Sequence, residues 1–230
     1  MNHTTDWGRR WRNTGYITFF LSGICAISSG IIVSILQGKY EFDYGMTGTM
    51  LGLMSIGNMA ASFAAGILPQ KIGVKNTVLL LCSGYFLGYF LMAVTGMPGV
   101  LMAAFLLVGF AKGGALNNCT ILVKDNSADR TRSMNILHAC YACGALLCPF
   151  LAASLLGIND TLPMVGVAVT GLLLWNVIVW GGGSREREER RTGKDLVCIF
   201  EGSEILADYR AFILPECGGD ECDGMACDIL

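Results

Sequence analysis

Six apolar segments, at about 15–37, 46–68, 76–96, 99–123, 134–157 and 162–181, follow one another with short connections. Each is close to the ~20 residues that a helix needs to cross the hydrocarbon core of a bilayer. In lipid every backbone polar group must be satisfied within its own element, which excludes open strands and leaves helices. The expected fold is therefore all-α, an integral membrane bundle of six helices. With 53% hydrophobic and 15% charged residues among 230, the chain is too apolar for a soluble domain of this size.

The charges that are present fall unevenly. Residues 38–182 contain five Asp or Glu, all in connections, and residues 183–230 contain twelve. Lys and Arg alternate with the spans. Arg9, Arg10 and Arg12 precede the first span, Lys71 and Lys75 follow the second, Lys124, Arg130 and Arg132 follow the fourth, and Arg185 to Lys194 follow the sixth, whereas the intervening connections hold only Lys39. Positive charge in short loops favours the cytoplasmic side, so both ends are expected in the cytoplasm of a multi-pass protein of the plasma or inner membrane. The expected organisation is a cytoplasmic tail at 1–14, a bundle at 15–182, and a charged linker with an acidic tail at 183–230. The first apolar run is too long for a signal-peptide core, so it is read as an uncleaved span.

Between residues 109 and 149 the fourth and fifth spans carry Lys112, Asn117, Asn118, Asn135 and His138. An ionisable group at membrane depth is costly and by default marks a pathway, a partner or a cavity. Lys112 lies about thirteen residues into its span, roughly 20 Å from the outer end at ~1.5 Å per residue, too deep for easy snorkelling. No Asp or Glu occurs in any span. Its partner is then an Asn or Ser side chain, a backbone carbonyl, an acid of another half or chain, or an anionic group of a solute. At ~100° per residue, Lys112 aligns with Val108, Ala115 and Cys119, while Asn117 aligns with Gly113 and Phe110. These groups do not share one stripe, and one of the two asparagines is expected to bond to another helix.

Asn135, His138 and Tyr141 share a face by their spacing of three, at a depth where they could meet Asn117 or Asn118. Such a cluster reads either as a hydrogen-bonding site or inner gate, or as a buried histidine satisfied by Asn. Asn58 is the polar exception in the second span, and its amide needs a partner. Gly48 and Gly52, four apart in the same span, read as helix packing. Pro149 is expected to kink the fifth span. Six cysteines, including the C-x-x-C of Cys140 and Cys143, lie in apolar runs where a thiol behaves as a small hydrophobe. No metal site, cofactor site or nucleic-acid site is expected.

Residues 66–75 read GILPQKIGVK, which resembles the cytoplasmic loop signature of the major facilitator superfamily, Gly-x-Leu-Ala-Asp-Arg-x-Gly-Arg-Lys. Gly66, Leu68, Gly73 and Lys75 match, and Lys71 keeps the charge of the Arg. Gln70 replaces the Asp that pairs across the bundle in many members, and Pro69 and Val74 also depart. The resemblance implies a gating loop and the N-terminal six-helix half of a twelve-span transporter, over about 14–182. Gly109, Gly113, Asn117, Asn135, His138, Gly144, Ala145 and Pro149 are similar to the arrangement in fucose-permease-like sugar porters. That type carries acids in its first and fourth spans, and none is present here.

The stretch 195–230 combines Glu201, Glu204, Asp208 and Arg210 where a seventh span would begin. Its Cys217, Cys222 and Cys227 match no standard zinc spacing. Moving the reading frame one nucleotide forward permits a run ending Gly-Trp-Leu-Val, which resembles the start of the second half in this subgroup. A frameshifted tail on a truncated half is the expectation.

The function expected is alternating-access transport of a small polar solute, a sugar or related metabolite, with this chain supplying one wall and a second half or a second copy the other. Membrane lipid is the remaining partner. The alternative is a non-transporting interaction or sensor protein that uses the acidic tail. No paired carboxylates, no nucleophile with its base and no phosphate loop point to an enzyme.

Overall fold

A computed structural model describes residues 3–181, with side chains from Gly8 onward. The expectations for 183–230 therefore lie outside the described residues. Among the described residues there are six helices: α1 (His3–Tyr40), α2 (Tyr44–Ile72), α3 (Val74–Val94), α4 (Pro98–Asp125), α5 (Arg130–Leu156) and α6 (Leu162–Gly181). All six are long and apolar enough to cross a membrane.

Local chemistry sets the ends. Asp43 caps α2 by accepting from the Gly45 amide at 3.0 Å, and Asp129 caps α5 by accepting from the Arg132 amide at 3.0 Å. Both place a carboxylate on otherwise orphan amides at a helix start. Pro98 opens α4, where its missing N–H costs nothing. Gly73, at φ 85° and ψ 154°, breaks α2 from α3 in a region of backbone space that is essentially glycine's alone.

Three helix ends run four or more residues past the apolar segments, one of them the start of α5 at Arg130. The second span runs on through Pro69 to Ile72. The first begins twelve residues early, because the polar N-terminal segment has an apolar side. Trp11 is 2% exposed and Thr14 is 6% exposed, and Thr14 returns its hydroxyl to the Arg10 carbonyl at 2.9 Å. Pro149 lies inside α5, which continues to Leu156.

The helices form two layers. One layer runs α2, α4, α1, α5 from edge to edge. Behind it α3 packs on α4 and α6 packs on α1, with α3 and α6 touching each other. Apart from α3 on α4, sequence neighbours are thus not the main packing partners: α1 stands largely between α4 and α5.

Close backbone crossings hold the front layer. A methyl on Gly23 of α1 would overlap the Tyr141 carbonyl of α5, and one on Gly144 would overlap the Phe20 carbonyl. On the other side, a methyl on Gly109 of α4 would overlap the Met54 carbonyl of α2, and one on Gly57 would overlap the Leu106 carbonyl. The two crossings are copies. A shift of 86 takes Gly23 to Gly109 and Phe20 to Leu106, and a shift of 87 takes Met54 to Tyr141 and Gly57 to Gly144. The bundle is therefore two three-helix units, α1 to α3 and α4 to α6, related by a pseudo-two-fold axis that passes between α1 and α4. Gly48 and Gly52 have no part in these crossings; nothing among the described residues lies within 4 Å of a methyl at either.

A buried polar row on α1 went unnoticed in the sequence. Thr14, Thr18, Ser22, Cys25 and Ser29 fall at spacings of three and four on one face, all buried. Ser22 pairs with the Tyr85 hydroxyl at 3.0 Å, and the Tyr89 hydroxyl donates to the Cys25 carbonyl. Ser28, one turn round, pairs with Cys148 of α5 at 3.1 Å. Two fully buried tyrosines thereby fix α3 to α1 through hydroxyls that would otherwise be orphaned in an apolar interior.

Candidate functional site

Lys112 stands midway along α4, half-buried. Val108, Ala115 and Cys119, which share its face by helical spacing, are all buried. By this spacing the lysine falls on the side of α4 that carries Val108, which meets Gly88 of α3, and Cys119, which packs with Phe19 of α1. The shift of 86 equates it with Ala26 of α1, a buried small residue, so the cation is where the two repeats part company. Among the described residues it has no hydrogen bond or ion pair, and no acidic side chain occurs in the spans.

The asparagines divide as the helical wheel requires. Asn117 donates to Ser62 of α2 at 3.0 Å and to the Gly113 carbonyl at 2.8 Å. It is the interhelical bond expected of one of the pair. Asn58 lies beside this contact, its backbone and amide oxygens against Gly113. The structure thereby brings together Asn58 and Asn117, both half-buried, and adds Ser62, which the sequence reading missed. Ser62 falls four residues after Asn58, a spacing that could have signalled it. Asn118 turns to the interior instead. It is 1% exposed, donates to the Gly114 carbonyl at 2.9 Å, and leaves its Oδ1 without a partner, as Thr18 leaves its hydroxyl.

His138 makes no hydrogen bond to either asparagine among the described residues; α5 packs chiefly on α1 and only lightly on α4. The histidine ring sits edge-on to Phe19 of α1, with centroids 5.8 Å apart, and Tyr141 tilts against the same phenyl at 5.3 Å. Asn135 and His138 are both exposed. The polar cluster expected across spans four and five is thus not joined by hydrogen bonds among the described residues; Phe19 of α1 packs beside both spans. In the gating loop Gln70 and Lys71 are exposed, Gln70 bonding back to the Gly66 carbonyl at 3.4 Å, and Lys75 is half-buried. Cys140 and Cys143 carry free thiols, Cys143 exposed, and no group of metal-ligating side chains forms among the described residues.

These placements give unequal expectations for Asn117 and Asn118. Asn117→Leu is expected to lower stability by about 0.6 kcal/mol, the average for an interhelical hydrogen bond in lipid. Asn118→Leu removes a buried acceptor that is already unpaired, so it is expected to be neutral or stabilising. Thermal melts of the purified chain in detergent would check both, and a larger loss for Asn118→Leu would contradict the burial argument.

Six helices long and apolar enough to cross a membrane, packed in two layers, make this a multi-pass membrane bundle. The chain belongs to the Major Facilitator Superfamily, whose profile matches residues 15–212. It is 26% identical over 143 residues to the gallate transporter of Pseudomonas putida, covering 61% of this chain and 32% of that protein. It is also 26% identical over 163 residues to the 4-hydroxybenzoate transporter PcaK of Pseudomonas aeruginosa, covering 65% of this chain and 36% of that protein. The chain spans about a third of the length of these curated relatives.

Proposed function

We propose that this bundle forms one wall of an alternating-access pathway for a small aromatic carboxylate, with Lys112 receiving the carboxylate. The observation that carries the reading is the half-buried lysine midway along α4 with no counter-charge among the described residues. A cation held in a low-dielectric wall gains most from an anion that enters with the solute. Both relatives are named for transport of a hydroxylated benzoate-type acid, and neither for a sugar, so the expected sugar gives way to an aromatic acid. In the closed pathway the carboxylate would sit at Lys112, and rocking of this bundle against a second one, from another unit or a second copy, would alternate access to it. Asn58, Asn117, Asn135 and His138 remain polar groups of the front layer at which a ring hydroxyl could be bound. Asn118, pointing inward, is not among them. Gly66, Gln70, Lys71, Gly73 and Lys75 keep the gating-loop role that the superfamily resemblance implies, at the cytoplasmic side if positive charge sets the orientation.

Ligand-induced stabilisation of the purified chain tests the solute class, since whatever binds the folded form raises its melting temperature. 4-Hydroxybenzoate is expected to raise it, whereas 4-hydroxybenzyl alcohol, which lacks the carboxylate, leaves it unchanged. A rise with a neutral hexose and none with the acid would return the solute to the sugars. The interaction-protein reading rests on residues outside the described ones, and no observation favours it.

A further inference from the structure

We propose that the corner where the start of α1 meets the α4–α5 connection binds the phosphodiester headgroup of an anionic phospholipid. Two cationic segments distant in sequence converge there. A methyl on Gly8 would stand 3.7 Å from Asn126 Oδ1, Gly15 lies against Val123, and Tyr16 and Phe19 share an apolar cluster with Val123, Met134 and Leu137. This packing brings the segment that carries Arg9, Arg10 and Arg12 to the same end of the bundle as Lys124, Arg130 and Arg132. Five of the six are exposed and Arg12 is half-buried.

None of these six side chains has an ion pair among the described residues. Three acids, Asp6, Asp125 and Asp129, stand in the same two segments against the six cations. The Asp129 carboxylate is engaged as the cap of α5. The positive end of the α5 dipole adds to the same field. At the other end of the bundle the balance reverses, with Lys39 bonded to Thr161 at 3.3 Å and accompanied by Glu41, Asp43 and Asp160.

Depth selects the partner. The six cations begin where the apolar runs 15–37, 99–123 and 134–157 end, which is the level of lipid headgroups. Clusters of four to eight Lys or Arg at that level read as sites for anionic lipid. The assignment shares with the proposed orientation only the expectation that this end faces an anionic leaflet, and it does not depend on the solute.

Native mass spectrometry of the full 230-residue chain, delipidated and then given equal phosphatidylglycerol and phosphatidylcholine, tests it. Phosphatidylglycerol adducts are expected to exceed phosphatidylcholine adducts by roughly fivefold for each cation engaged. The combined variant Arg9→Gln, Arg10→Gln, Arg130→Gln, Arg132→Gln should lose the preference, Lys39→Gln should keep it, and Arg130→Lys with Arg132→Lys should retain most of it. An unchanged preference in the four-site variant would overturn the proposal. So would displacement of the lipid by inorganic phosphate at equal concentration, which would make the corner a site for a free anion. A chain that shows the preference but does not respond to 4-hydroxybenzoate would leave this assignment standing and remove the solute reading.

Discussion

Gly109→Leu is expected to disrupt the bundle, while Gly52→Leu in the neighbouring helix leaves its stability unchanged. The two glycines look alike in the sequence, each within an apolar span and near other small residues. Their surroundings differ completely. A single methyl at Gly109 already overlaps the Met54 carbonyl, whereas nothing among the described residues lies within 4 Å of one at Gly52. The obstacle at Gly109 is backbone, which cannot move aside as a flexible side chain can. Overpacking of a well-filled interior costs roughly 1–3 kcal/mol, and four added heavy atoms against a fixed carbonyl belong at the top of that range or above it. Because Gly23 occupies the equivalent place in the other repeat, Gly23→Leu should cost about the same. Thermal melts of the three variants in detergent would measure this. Equal losses at Gly52 and Gly109 would mean that the α2–α4 crossing does not carry the bundle.

The contrast also marks what the sequence disclosed. The six spans were legible because bilayer thickness imposes a length that few other constraints produce. Gly73 was legible as a match to the loop signature, and its positive φ is the physical reason for the glycine there. Helix order was not legible. Short connections suggest that neighbours in sequence pack together, yet α4 pairs with α2 and α5 with α1. The internal repeat that dictates this survives as isolated small residues such as Gly23, Gly57, Gly109 and Gly144, with dissimilar chains between them. Gly48 and Gly52, which read as packing glycines, meet no neighbour among the described residues.

The candidate site was legible only as far as the cost of charge reaches. Lys112 stood out because an unpaired cation in lipid requires a reason. The wheel separated Lys112 from Asn117 correctly. It could not say which of Asn117 and Asn118 would cross to another helix, since that depends on which neighbour lies opposite. The pairing of Ser22 and Tyr85 was missed because each side chain passes as apolar in a hydropathy reading. Regular spacing of Thr14, Thr18, Ser22 and Ser29 was the available signal.

Lys112→Met should move stability and solute binding in opposite directions. Replacing a half-buried, uncompensated ammonium by an apolar chain of similar length removes a desolvation cost, so the melting temperature of the solute-free chain is expected to rise. The same change deletes the cation proposed to meet the carboxylate. A hydrogen bond to a charged group contributes about 1.5–3 kcal/mol, so binding of 4-hydroxybenzoate should weaken by roughly tenfold to more than a hundredfold. Lys112→Arg keeps the charge and should keep most of the binding. If the lysine instead held α4 to α1, Lys112→Met would lower the melting temperature and leave the affinity for the acid largely intact. The variant is therefore best read with both measurements on one preparation. A drop in stability with unaltered binding would end the case for Lys112 as the carboxylate's partner, because a group that faces the solute cannot be lost without the solute registering it.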